Sequence, residues 1–294
     1  MACVTRKKSL GANNCNEWPS LPKAGIWTPN NFVIPAATAA DSDLLKTFMQ
    51  AALLVSTSAR IYQFPEFDKI TDVSEAKVRV QQSSGRTIPV REGLKRFDIE
   101  YSINICMHRA MYTHRTRTGR WIFIDSDNNY ILNKRTDGDF QGYKISLLDT
   151  DSIKFNDGAN PSISPVFLEL ADPNEINKDI YMAEAPFTNE LDLIVDVNVT
   201  VVTITDAGDI DILVATDCDA TGVSGLALAD FEYLNAAGTP VTITARTESA
   251  SVPGQYKLTQ SGDLFVDGTV NIKTPSVLSI QAYESLGAAT VNIP

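Results

Sequence analysis

The apolar positions along this chain change their period several times, and each change marks an element. Leu44, Leu45, Phe48, Met49, Ala52 and Leu53 recur at three- and four-residue spacing behind Asp41-Ser42-Asp43, which predicts a capped amphipathic helix over residues 42 to 55. From Ala59 the period falls to two. Short β-like runs are expected at 60–64, 76–82 and 87–90, with Ser83-Ser84-Gly85 as a turn and Pro89 placing the last run at a sheet edge or bulge. Phe97, Ile99 and Tyr101 alternate with Asp98 and Glu100 as a strand does. The period then lengthens again, and Ile103, Cys106, Met107, Ala110 and Met111 predict a second helix with one buried stripe. Trp121-Ile122-Phe123-Ile124 and Tyr130-Ile131-Leu132 flank a polar turn and predict a hairpin, with further strands at 142–148 and 166–170. After Pro186 the chain becomes a series of short β-branched runs, at 191–197, 199–205, 209–215, 240–245, 255–259, 269–273 and 277–282, separated by glycine or proline. The fold class expected is mainly β with one or two helices.

Residues 1–40 break this regularity. Prolines at 19, 22, 29 and 35 and asparagines at 13, 14, 16, 30 and 31 argue against a helix or a central strand, so the segment reads as an extended arm. Yet it carries Trp18, Trp27 and Phe32. Large apolar side chains on a segment with no core of its own need another surface, either in the same domain or on a neighbouring subunit, and these three are the expected subunit-interface residues. The domains expected are therefore the arm at 1–40, a β domain with a packed helix at 41–195, and a β-sandwich at 196–294.

Charge supports the last division. Of the net −11, residues 1–190 contribute −1 (22 Lys and Arg against 23 Asp and Glu) and residues 191–294 contribute −10 (3 against 13). So acidic a C-terminal part repels nucleic-acid phosphate, and the basic residues between Arg79 and Arg135 are diluted by acids such as Glu92, Asp98 and Glu100. No apolar run approaches the roughly 20 residues of a membrane-spanning helix, and no apolar stretch of secretory type follows the basic N-terminal residues. Cys3, Cys15, Cys106 and Cys218 have no metal-site spacing, and reduced thiols are the expectation, with a Cys3–Cys15 bridge as the alternative. His108 and His114 stand six apart, off a common helical face; a charged His114 would suit the C-terminal end of its helix. The loop at Asp125 begins like a calcium loop, but Tyr130 occupies the position that needs glycine and Thr136 the one that needs glutamate. No nucleophile, base or cofactor motif emerges, so neither an enzyme nor a cofactor or metal is expected.

Two resemblances supply a function. Val223 to Phe231, Asn235 to Ile243 and Pro253-Gly254-Gln255-Tyr256-Lys257-Leu258 resemble bacterial and phage Ig-like domains, in which a D-F pair precedes a turn and G-x-Y-x-L carries a strand with a buried tyrosine. Ile88 to Phe97, the helix through Met107 and the hairpin Gly119 to Asp125 resemble, in their arrangement, structural proteins of tailed phages and the tail-tube fold. The resemblance implies a tail-tube-like β-sandwich or barrel followed by an Ig-like β-sandwich. It implies a virion structural protein of the phage tail, assembled in the host bacterial cytoplasm. Copies would close edge to edge into a homo-oligomeric ring, usually hexameric. Rings would stack into a tube that passes DNA non-specifically and meets other tail proteins. The loop at 63–75 or the hairpin around Gly85 would reach the next ring. A head-decoration or fibre-anchoring protein, or a carbohydrate-binding or adhesin-like module, is the alternative.

Overall fold

A computed structural model describes residues 19–55, 59–103, 105–158, 161–188, 191, 193–206, 208–260, 265–278 and 283–293. The protein is mainly β, and it separates into two compact units at Leu191 and Asp192.

In chain order the first unit comprises β1 (Pro22–Thr28), α1 (Ala36–Ala39), α2 (Ser42–Leu54), β2 (Tyr62–Gln63), β3 (Lys69–Asp72), β4 (Val78–Gln81), β5 (Thr87–Arg91), β6 (Arg96–Tyr101), α3 (Ile105–Thr113), β7 (Arg120–Asp125), β8 (Asn129–Lys134), β9 (Phe140–Gln141), β10 (Tyr143–Thr150), β11 (Ser164–Leu170), α4 (Glu175–Lys178) and β12 (Ile180–Glu184). The main sheet runs β12-β8-β7-β10-β11-β6-β3, with β1 paired to both β2 and β7. Strand β7 is its spine. One edge of β7 pairs with β1 along its whole length, while the other is shared, Phe123 and Ile124 facing β8 and Arg120 and Trp121 facing β10. Both faces of this strand are buried. Ile122 and Ile124 join Ala24, Ile26, Tyr130 and Leu132 in a core closed by Leu45, Met49 and Leu53 of α2. Trp121 and Phe123 point the other way, into a core with Trp27, Ile131 and the inward residues of β6, β10 and β11. Period-2 alternation between two dry faces explains why 121–124 is apolar without interruption.

This arrangement corrects the reading of residues 1–40. The described part is no arm: β1 is a strand whose last five residues, Ala24 to Thr28, are all buried. Prolines delimit it without interrupting it, since Pro22 opens the strand and Pro29 follows its end. A strand buried on both faces has no polar alternation to betray it. Helix α2 forms as expected, with the Asp41 carboxylate accepting the amides of Asp43 (2.9 Å) and Leu44 (3.1 Å).

The second unit comprises β13 (Val195–Asp206), β14 (Asp209–Thr216), β15 (Phe231–Asn235), β16 (Pro240–Val241), β17 (Ala245–Glu248), β18 (Gln255–Thr259), β19 (Gly268–Ile272), β20 (Tyr283–Ser285) and β21 (Ala289–Val291). Two sheets, β17-β18-β14-β13-β20 and β16-β15-β19-β21, share one core. Val197, Ile212 and Leu258 enter it from the first sheet, Phe231, Tyr233 and Val270 from the second, which makes the unit a β-sandwich. Tyr256 is fully buried between them. Its hydroxyl donates to the Val223 carbonyl (2.6 Å) and accepts the Leu226 amide (3.1 Å), fixing the connection that precedes β15.

Candidate assembly surface

Strands β3 and β6 pair from Lys69 opposite Glu100 to Asp72 opposite Phe97, and the ladder does not stop at their ends. The Val73 amide bonds the Arg96 carbonyl (3.0 Å) and the Glu75 amide the Leu94 carbonyl (2.9 Å), after which β4 and β5 pair to the turn at Gln82 to Arg86. One hairpin thus has an inner half inside the main sheet and an outer half outside it. The outer half is a two-stranded ribbon on its own, and every residue of β4 is exposed. At about 3.3 Å per residue it stands roughly 20 Å beyond Lys77. Gly85, at φ +80°, gives the tip the left-handed residue that a three-residue turn with a bulge requires.

The base of the ribbon is held by charge. Arg96 bonds Glu75 (2.7 Å) from one nitrogen and Glu169 (2.5 Å) from another; Arg91 also reaches Glu75 (3.1 Å), Lys77 pairs with Glu92, and Lys95 with Asp72 (3.4 Å). Burial alone would raise the Glu169 carboxyl, but hydrogen bonds from Ser146 and Arg96 outweigh it and hold the group below its usual range. The same balance, with Ser74 and Lys95 as donors, lowers Asp72. At Gly93 the two arms pass so closely that a β-carbon would lie 1.8 Å from the Glu75 carbonyl oxygen. The ribbon is therefore rooted firmly, while every residue of its two strands except the half-buried Ile88 is exposed. Val78, Val80 and Ile88 share one of its faces, and Val80 is 49% exposed.

A second uncovered apolar surface lies on α3. The sequence predicts a buried stripe of Ile103, Cys106, Met107, Ala110 and Met111, but only Met111 is buried. The helix is held instead by its His108 face, where Nδ1 meets the buried Ser164 hydroxyl at 2.7 Å, and by the Thr150 hydroxyl donating to the Met111 carbonyl (3.4 Å). That rotation turns Ile105 (67% exposed) and Met107 to the outside. Ile105 borders a concavity completed by Ile103, His108, Ile153, Ile163 and Phe155, the last 80% exposed.

The expected interface residues lie elsewhere. Trp27, 6% exposed, packs within its own unit against Tyr62 and His114, with the Arg117 guanidinium over its ring (5.5 Å). Phe32 is half-buried against Phe48 of α2, and Trp18 lies outside the described residues. In this single chain both described residues are thus occupied by intrachain packing. His114 departs from its expected charge. Packed on Tyr62 (4.3 Å) and Phe64 (5.8 Å), it is pushed down to about 4, first by burial and then by Arg117.

The candidate cation loop is a turn. One Asp125 oxygen accepts the Asp127 (3.0 Å) and Asn129 (2.8 Å) amides, and the other accepts the Asn129 side chain (3.1 Å) and the Ser20 amide (3.4 Å). At Asp217 and Asp219 the acceptors are likewise engaged, by Asn198, Thr216 and Thr221. Among the described residues no three His, Cys, Asp or Glu side chains are grouped as a metal site would need. Cys106 and Cys218 each take part in a disulfide, contrary to the expectation of reduced thiols. Spacing along the chain carries no such information, because a bridge needs only Cα atoms within about 7 Å in the fold; Cys3 and Cys15 lie outside the described residues. No described helix is long and apolar enough to cross a membrane. Scanning the chain against protein-family models finds no match, and comparing it with curated proteins finds none either.

Proposed function

We propose that this protein is a virion structural protein whose copies assemble through the first unit into the stacked rings of a phage tail tube, with the second unit as an appended sandwich. The observation that carries the reading is the β4–β5 ribbon. An isolated two-stranded hairpin is marginal in water, and exposed ribbon edges invite pairing; a hairpin bolted at its base by Arg96 and uncovered on both outer faces is a connector. The charge balance agrees with a conduit. A near-neutral first unit and a second unit at −10 offer DNA no continuous basic track, so it would pass without being gripped.

Negative-stain imaging of the purified full chain over a range of concentrations tests this. Rings or tubes of uniform diameter are the expected result. Isolated compact caps would favour head decoration, and a monomer at every concentration would rule out both.

A further inference from the structure

Three of the four sheet edges of the second unit are guarded, and the fourth is guarded over only part of its length. Strand β16 is two residues long and opens at Pro240, β21 has three residues, and β17 carries Arg246 and Glu248. Short strands, proline and charge are the means by which sheet edges are kept from pairing. On the remaining side β20 covers β13 only from Val195 to Val197, and the rest of β13 has no neighbour there among the described residues. That stretch, Asn198 to Thr205, contains no charge, proline or glycine, and seven of its eight residues are β-branched. It is open to solvent, with Thr200 and Thr203 exposed and Val202 51% exposed. The Val197 carbonyl accepts the Leu286 amide (3.0 Å) on this side, so the two-residue period points the backbone groups of Val199 and Val201 the same way. A bulge at Val201–Thr203 then interrupts the strand.

We propose that this open edge of β13 pairs, antiparallel and across a two-fold axis at Thr200, with the same edge of a second copy of this chain. Val199 of each copy then exchanges backbone hydrogen bonds with Val201 of the other, and Asn198 lies opposite Val202. One step further Thr203 would lie opposite Val197, where β20 already sits, and the bulge breaks the strand at that point. Charge selects the occupant. A partner rich in carboxylates is repelled by a unit at −10, and one rich in cations finds no carboxylate from Asn198 to Thr205, so a neutral β-branched strand fits, and this stretch is one. The repulsion between two such units acts at longer range than the ladder and is screened by salt, so the contact strengthens as ionic strength rises. It is isologous and uses up the open edge, so it stops at two copies. It lies on the second unit and is separate from the ring contacts proposed for the first.

Mild oxidation of the full-length Thr200→Cys variant tests the pairing, with wild type and Thr205→Cys as controls for the native cysteines and for random collision. Thr200 and Thr205 are both exposed, so melting temperatures should match wild type. Opposed residues of a non-hydrogen-bonded pair have Cα atoms about 4.5 Å apart, within the range of a disulfide. The expected result is a Thr200→Cys dimer that dithiothreitol separates, formed in higher yield at higher salt, with both controls at background. No dimer from Thr200→Cys, equal linking through Thr205→Cys, or a yield that falls with salt would each overturn the pairing. Ring assembly is read separately by imaging the same samples. Rings or tubes without the Thr200→Cys link would overturn the pairing alone, and a linked dimer that forms neither would support the pairing and overturn the tail-tube reading.

Discussion

At the scale of single residues, several groups have roles that their types alone did not announce. His114 is one of two histidines, and its place at the end of a helix invites a positive charge. Its surroundings of Trp27, Tyr62, Phe64 and Arg117 impose the neutral form. The consequence has a definite sign. Because the folded group titrates near 4 and the unfolded one near 6.5, the unfolded chain alone takes up this proton as pH falls through that interval, so stability is lost there. The loss between pH 7 and pH 4 should be about 3 kcal/mol. Carboxylates titrate in part of the same range, so the measurement is a difference: urea unfolding of His114→Phe should show a pH dependence flatter than wild type by that amount. Equal slopes would mean that the imidazole is not desolvated.

At the scale of elements, legibility in the sequence follows from how many faces of an element are wet. Helix α2 has one dry face and a capping aspartate, and its predicted span at 42–55 matches Ser42–Leu54 almost to the residue. The ribbon's two strands and turn were legible from Gly85, Pro89 and the valines, although the pattern could not tell that they leave the main sheet. Strand β1 was hidden because both its faces are dry, and α3 was rotated because a nine-residue helix with mixed polarity is oriented by what holds it, here His108 on Ser164. Trp27 packs within its own unit, so Trp27→Ala should lower the unfolding stability of the chain by roughly 3–5 kcal/mol, as truncation of a buried tryptophan does. Calorimetry or denaturant titration at a concentration below assembly checks it. An unchanged midpoint together with lost assembly would restore Trp27 to a subunit interface.

At the scale of the whole molecule, the mainly β character was legible from the repeated short alternating runs, and the change of charge near residue 190 lies close to the division between the compact units at Leu191. The uncovered surfaces were not legible, since an exposed valine on a ribbon and a buried one in a sandwich look alike as letters; only pairing partners separate Val80 from Val270. If the projecting ribbon joins copies of the chain, shortening it abolishes assembly. Replacing residues 78–91 with a two-residue Asn-Gly turn between Lys77 and Glu92 removes only the outer half of the hairpin and leaves the Arg96 root in place. In sedimentation velocity at matched concentrations, wild type should run as a ring or larger assembly and the shortened chain as a folded monomer with an unchanged melting temperature. A shortened chain that sediments as wild type does would mean that copies join through another surface.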